Sequence, residues 1–213
     1  MITKTINNID FFIIKDDSGQ NSYYGCNQEW YKTTWRRTSG CGPTVASNII
    51  HYINQTNNNK NNSNSPITKS SCLRLMNEIW KYVTPTLKGV STTKILFNGL
   101  LAYSKSIGLN LKYDFIDIPK NRLLRPEFNH LLSFLNDALC NDSPVAFLNL
   151  NNGAEKQLYS WHWVTIVMLE YPEDGSTAYT TILDEGVIKR IDLSQWYHTT
   201  TLGGGFVCFK RIQ

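Results

Sequence analysis

The sequence lacks any long apolar run. No stretch of 18 apolar residues occurs among its 213 residues, and a stretch of roughly that length is needed for a membrane-spanning helix. The first residues, Met1–Ile6, also lack the apolar core of a secretory signal peptide. We therefore expect no membrane span and a cytoplasmic location.

Cysteine is scarce, and its number is odd. At least one of the five cysteines must stay unpaired, which suits a reducing cytoplasm. Neither a C-x-x-C pair nor the spacing of zinc ligands is found among Cys26, Cys72, Cys140 and Cys208. We predict no metal site and no cofactor.

Strong charge of either sign is also missing. The formal net charge is +4, the basic residues are scattered, and only Arg36 and Arg37 adjoin the candidate site described below. This pattern argues against nucleic-acid binding.

Gly203–Gly205 precedes a predicted strand rather than a helix, so we interpret it as a turn and not as a phosphate-binding loop. The length and the 41% hydrophobic content suit one domain over 1–213.

The most informative feature is a cysteine between two glycines. Cys41 lies where a polar segment gives way to the apolar run Val45–Ile53. At the N-terminus of a helix, the helix dipole favours the thiolate over the thiol. Gly40 and Gly42 lack Cβ atoms, so a substrate backbone can approach the sulfur and the loop can adopt unusual dihedrals. Pro43 fits the first helical turn, and we predict Cys41 as a nucleophile.

A thiolate needs a base, and the best candidate is His162. It lies near the start of a segment rich in β-branched and aromatic residues, which predicts a buried strand. Asp184 ends the next predicted strand, so two adjacent antiparallel strands can place it beside the imidazole. A nucleophile, a base and a carboxylate that orients the base form a known catalytic arrangement. His198 is the rival base, in a predicted loop.

These residues resemble a papain-like cysteine peptidase. The resemblance is carried by Gly40-Cys41-Gly42-Pro43-Thr44, by Trp-His-Trp-Val at 161–164 and by Leu183-Asp184, and it covers roughly residues 28–209. Within the superfamily, the chain looks most like the branch of bacterial double-glycine leader peptidases.

The resemblance implies a fourth site residue, a glutamine upstream of the nucleophile. In this superfamily its side chain helps to form the oxyanion hole together with the backbone N–H of the cysteine. Gln28 is the best match, with Gln20 as the second candidate. A donor in this position stabilises the transition state by roughly 3 kcal/mol.

Each residue also has a purely structural interpretation. Cys41 can be a small buried apolar residue, His162 a hydrogen-bonded core histidine, Asp184 the start of a turn and Gln28 a surface residue. The remaining two histidines, His51 and His130, are expected at the surface or at helix ends.

The fold class implied is α+β, a papain-like fold in which N-terminal helices pack on a C-terminal twisted antiparallel sheet. Asn57–Ser65 is dominated by asparagine and serine and is interpreted as a mobile insertion, not a domain boundary. The patterns predict helices at 42–54, 70–82, 92–107 and 126–140, and strands at 9–14, 111–116, 145–150, 161–171, 179–184, 187–191 and 205–211.

The resemblance implies a cysteine peptidase that cleaves a peptide, amide or thioester bond through a thioester acyl-enzyme. Its substrate would be a Gly-Gly leader or a small peptide. Two alternatives stay open at this point. One is a papain-like acyltransferase or transpeptidase, because both reactions share the acyl-enzyme. The other is an inactive module of the same shape that binds peptides.

Overall fold

The computed structural model describes residues 1–59 and 67–212. Within these residues the helices are α1 Thr34–Ser39, α2 Cys41–Asn59, α3 Lys69–Trp80, α4 Thr93–Ser106, α5 Phe128–Cys140 and α6 Leu193–Thr199. The strands are β1 Ile2–Thr5, β2 Ile13–Lys15, β3 Ser22–Tyr24, β4 Leu111–Ile118, β5 Val145–Asn149, β6 His162–Tyr171, β7 Tyr179–Asp184, β8 Val187–Asp192 and β9 Gly204–Arg211.

Seven of these strands form one antiparallel sheet. Its order is β4, β9, β5, β6, β7 and β8, and β1 pairs with the second half of β6. The strands β2 and β3 make a separate two-stranded ribbon. The chain therefore places β6 in the middle of the sheet, with its first residue, His162, paired with Asn149 of β5.

Helices cover both faces of the sheet. Side chains of β5 alternate between the two cores, as expected for a strand buried on both faces. Ala146 and Leu148 pack with α2 and α4, whereas Val145 and Phe147 pack with α5. The predicted α+β architecture is confirmed, with the qualification that α5 lies on the face opposite to α2.

The N-terminal strand predicted at 9–14 is wrong for most of its length. Residues Ile9–Phe12 form a 3₁₀ turn, because the side chain of Asn8 accepts a hydrogen bond from the Asp10 N–H and caps it. Only Ile13 and Ile14 lie in a strand, β2.

Three further differences concern element ends and short elements. The first apolar helix begins at Cys41 and continues to Asn59, beyond the predicted 54. Residues 57–59 of the predicted insertion thus belong to α2, and residues 60–65 lie outside the described residues. The helices α1 and α6 were not predicted.

Candidate active site

Cys41 is the first residue of α2, and the chain reaches it through a tight junction. Gly40 directly follows α1, and its carbonyl accepts the Thr44 N–H, which begins the hydrogen-bond ladder of α2. A Cβ on Gly40 would meet the Arg36 carbonyl oxygen and would lie 2.7 Å from the ring of Tyr31. Only glycine therefore fits between the two helices.

Gly42 is constrained by packing in the same way. A Cβ there would lie 2.6 Å from Cγ2 of Val90. Gly40 has an ordinary φ of −86°, and Gly42 lies in helical backbone. Close packing, and not unusual dihedrals, is the reason for both glycines.

His162 is buried at the start of β6, with 7% of its surface exposed. The residue before it, Trp161, has a φ of 58°, a left-handed conformation that is rare for a bulky side chain and is found mostly at functional sites. Trp163, the residue after it, is buried and donates its Nε1–H to the Val90 carbonyl at 2.6 Å. The histidine is thus fixed from both sides by its neighbours.

The two ring nitrogens of His162 have different partners. Nε2 lies 2.6 Å from Oδ1 of Asp184, which leaves Nδ1 as the ring nitrogen available to Cys41, a residue of the same small pocket. Burial by itself would lower the pKa of His162, but the hydrogen bonds to Asp184 and Cys41 and their negative charges outweigh it and raise the pKa to about 10. Both neighbours therefore favour the protonated form of the ring.

Asp184 is the last residue of β7, and its side chain is almost fully buried. Burial would raise its pKa, but the bond to His162 and the ammonium of Lys189 dominate and hold the pKa below its usual value. Lys189 Nζ lies 2.6 Å from Oδ2, so each carboxylate oxygen has its own cationic partner. Lys189 was not predicted as a site residue from the sequence. The only indication in the sequence was its position on the predicted strand 187–191, which follows the strand that ends at Asp184.

Gln28 lines the same small pocket as Cys41, His162 and Asp184. It begins a 3₁₀ turn, Gln28–Trp30, that is capped by the side chain of Asn27. The amide of Asn27 also donates to the Glu185 carbonyl at 2.7 Å, which ties this turn to the end of β7.

Gln20, the second candidate, is not part of this pocket. It is exposed in the turn between β2 and β3, where its N–H donates to Oδ1 of Asp16. The structure therefore brings Gln28 to the cysteine and leaves Gln20 at the surface.

Cys41 also lines a cleft of about 410 Å³. The other walls of the cleft come from the end of α1, from the segment 87–91, from the end of β5 and from Trp161. Trp161 is 54% exposed and Leu87 is 95% exposed. An apolar cleft with an exposed rim, beside a buried thiol, is the kind of concave site that binds a ligand.

The other histidines lie elsewhere. His51, expected at the surface or at a helix end, is buried within α2, and its Nε2 lies 2.6 Å from the Phe11 carbonyl oxygen. Burial lowers its pKa more than this bond raises it. His198 lies in α6 and not in a loop, and its ring packs against Phe128 and Tyr197. His130 is exposed on α5, as predicted.

The two arginines before the cysteine connect α1 to neighbouring segments. Arg36 donates to Oδ1 of Asn77 and lies over the ring of Trp80, and Arg37 donates to the Tyr31 carbonyl.

In the described residues, no group of three or more histidines, cysteines and carboxylates is arranged to hold a metal ion. Over the same residues, none of the helices combines the length and the hydropathy that membrane crossing requires.

Comparisons with known proteins support the fold. No family model matches the chain, and no curated protein matches it. Among solved structures, the chain is similar to UfSP from C. elegans, with a TM-score of 0.57 at 10% sequence identity. The match covers 100% of this chain and 35% of that one, so the chain spans about a third of its neighbour's length. At this identity the likeness shows the fold, which is papain-like and α+β.

Proposed function

We propose that the chain is a cysteine peptidase with Cys41 as nucleophile, His162 as acid and base, and Asp184 as the group that orients the imidazole. The observation that supports this most directly is one buried imidazole that binds a carboxylate and lines the same small pocket as a cysteine. His162 lies 2.6 Å from Asp184, and Cys41 is beside it in that pocket. A core histidine with a structural role alone does not need a cysteine at a helix N-terminus as its partner.

The reaction begins when His162 takes the proton of the Cys41 thiol. The sulfur of Cys41 attacks the carbonyl carbon of a peptide bond, and the carbonyl electrons move to the oxygen. The tetrahedral intermediate then collapses, and His162 gives its proton to the departing amine, which leaves a thioester on Cys41. Neutral His162 next removes a proton from water, whose oxygen displaces the thiolate and releases the carboxylic acid.

Two donors are available for the oxyanion. One is the backbone N–H of Cys41, which has no partner within the first turn of its helix. The other is the side-chain amide of Gln28, which lines the same pocket. We expect Gln28→Ala to lower kcat by about 10²- to 10³-fold, the usual effect of deleting one such donor.

The chain carries its own reference thiol for a first test. Cys140 is exposed, whereas Cys41 and the remaining cysteines are buried. Iodoacetamide labelling at neutral pH, located by mass spectrometry, is expected to modify Cys41 faster than Cys140 despite its burial. The variant His162→Ala should abolish this preference. Equal or slower labelling of Cys41 in the wild type would favour the inactive peptide-binding module.

Hydrolysis and acyl transfer are distinguished by the acceptor. With peptide substrates in H₂¹⁸O, a peptidase places ¹⁸O in the new carboxyl group, whereas a transferase joins the acyl group to an added amine. Peptides with and without a Gly-Gly site before the scissile bond test the narrower resemblance to double-glycine leader peptidases. Cys41→Ala is the control for each peptide, and a product formed equally by this variant would contradict the proposal.

A further inference from the structure

Asp184 has a second partner whose contribution the proposed reaction does not yet include. Its Oδ1 accepts from His162, and its Oδ2 lies 2.6 Å from Nζ of Lys189. Both distances are typical of strong, charge-assisted hydrogen bonds. With both oxygens engaged, the carboxylate cannot rotate without breaking one of the two bonds.

The sheet puts Lys189 in place. In the ladder between β7 and β8, Asp184 is opposite Val187 and Ile182 is opposite Lys189. Lys189 is therefore diagonal to Asp184 on the same face of the sheet, a spacing that a long side chain spans easily. Its side chain is 21% exposed, so the stem is largely covered while the ammonium reaches the buried carboxylate.

Tyr159 completes this side of the site. Nζ of Lys189 lies 5.2 Å from the centre of the Tyr159 ring, within the range of a cation–π contact. The same ring meets His162 edge to face, with the ring centres 6.0 Å apart. Lys189 and Tyr159 therefore contact the two members of the histidine–carboxylate pair, one each, and also contact each other.

We propose that Lys189 is a positioning residue of the active site, which fixes the rotamer of Asp184 and keeps its carboxylate ionised so that His162 is held toward Cys41. This rests on the proposed function, since the positioned group is the peptidase imidazole. The lysine does not touch a substrate in this role and acts through Asp184 alone.

A neighbouring pair provides a matched control. Arg190, the next residue of β8, binds the carboxylate of Glu170 on β6 at 3.0 Å and lies over the ring of Tyr179. It repeats the combination of cation, carboxylate and tyrosine, but it is half exposed and away from Cys41. Arg190→Met removes an ion pair between strands without touching the site.

The test uses measurements that need no substrate. In Lys189→Met, NMR of ¹³C-labelled aspartate should show the Asp184 carboxyl titrating at a higher pH than in the wild type. In ¹⁵N-histidine-labelled protein, the Nε2–H of His162 should exchange faster with solvent. Lys189→Arg should restore both values, and Arg190→Met should change neither. Thermal melts, with Lys189→Gln as a second variant, separate these effects from unfolding.

With a cleaved peptide in hand, Lys189→Met should lower kcat about tenfold, equivalent to about 1.4 kcal/mol of transition-state energy, and change KM by less than about twofold. An unchanged Asp184 titration and an unchanged Nε2–H in folded Lys189→Met would overturn the proposal. Since neither NMR readout requires turnover, a chain that cleaves no peptide would contradict the proposed function and leave these two results standing.

Discussion

The protonation of His162 depends on the charge of Asp184, and Asp184→Asn isolates that dependence. The substitution keeps the size of the side chain and keeps an oxygen that can accept from Nε2, but it removes the negative charge. The hydrogen bond concerned is 2.6 Å long and buried. The variant therefore tests the charge of the carboxylate and not the filling of space.

The magnitude follows from the strength of this bond. A hydrogen bond to a charged group contributes about 1.5–3 kcal/mol, and one pKa unit corresponds to about 1.4 kcal/mol. Removal of the charge should therefore lower the pKa of His162 from about 10 to about 8–9. The hydrogen bond and the negative charge of Cys41 remain and keep the pKa above its ordinary value.

NMR titration of ¹³C-labelled histidine measures this directly. The chain has four histidines, and His162→Gln assigns the relevant signal. His51 is an internal reference, because burial lowers its pKa and it lies against Phe11, not against the site. Its titration should be the same in the wild type and in Asp184→Asn.

Asp174→Asn is the control for loss of a carboxylate. Asp174 is exposed, and the hydrogen bonds that lower its pKa come from the nearby Ser176, so the substitution should leave His162 unchanged. The reasoning is refuted if wild-type His162 titrates at or below its ordinary value of 6.5, or if Asp184→Asn leaves its midpoint where it was.

Three other predictions concern stability. Because the pKa of His162 is raised in the fold, its pairing stabilises the chain fully below about pH 6.5, and this contribution is lost as the pH rises through about 10. The difference in urea midpoint between the wild type and His162→Gln should therefore shrink over this pH range. A difference that stays constant with pH would contradict the prediction. Gly42→Ala forces a Cβ to within 2.6 Å of Val90 and should lower the unfolding free energy by about 1–3 kcal/mol. The same substitution should lower it less when Val90 is already alanine. An equal decrease in the two backgrounds would exclude this contact as the cause. Asn48→Ala leaves two buried partners without a hydrogen bond, and each should lower the unfolding free energy by about 1–3 kcal/mol. Ser47→Ala removes one bond within α2 and should lower the unfolding free energy less in the same urea assay. Equal decreases in the two variants would contradict the role given to the Asn48 bonds.

Candidate site residues can be predicted from the sequence where local pattern and chemistry agree. Cys41 stands out because a polar segment, two glycines and an apolar run meet there, and these features are contiguous. Strands β4 to β9 were predicted because β-branched and aromatic residues cluster between turns. Gln28 followed from the resemblance alone, since nothing in its own segment distinguishes it from a surface glutamine.

What was missed depends on contacts far apart in the chain. β1 has four residues, and it is a strand because it pairs with β6 about 165 positions later. Lys189 needed the register of β7 and β8, which sequence patterns do not give. α1 is six residues long and carries the adjacent Arg36 and Arg37, so its apolar period is too short to detect.

The meeting of Cys41 and His162 itself rests on buried polar bonds between separate segments. Asn48, about two helical turns beyond Cys41, accepts from the Cys26 N–H at 2.8 Å and donates to the Thr165 hydroxyl at 3.0 Å. It therefore joins α2 to the segment that precedes Gln28 and to the strand that begins with His162. Apolar packing alone tolerates small shifts of a helix along a sheet, whereas two directional bonds from one buried amide do not. The geometry of the site is thus set by a residue that has no part in the proposed chemistry.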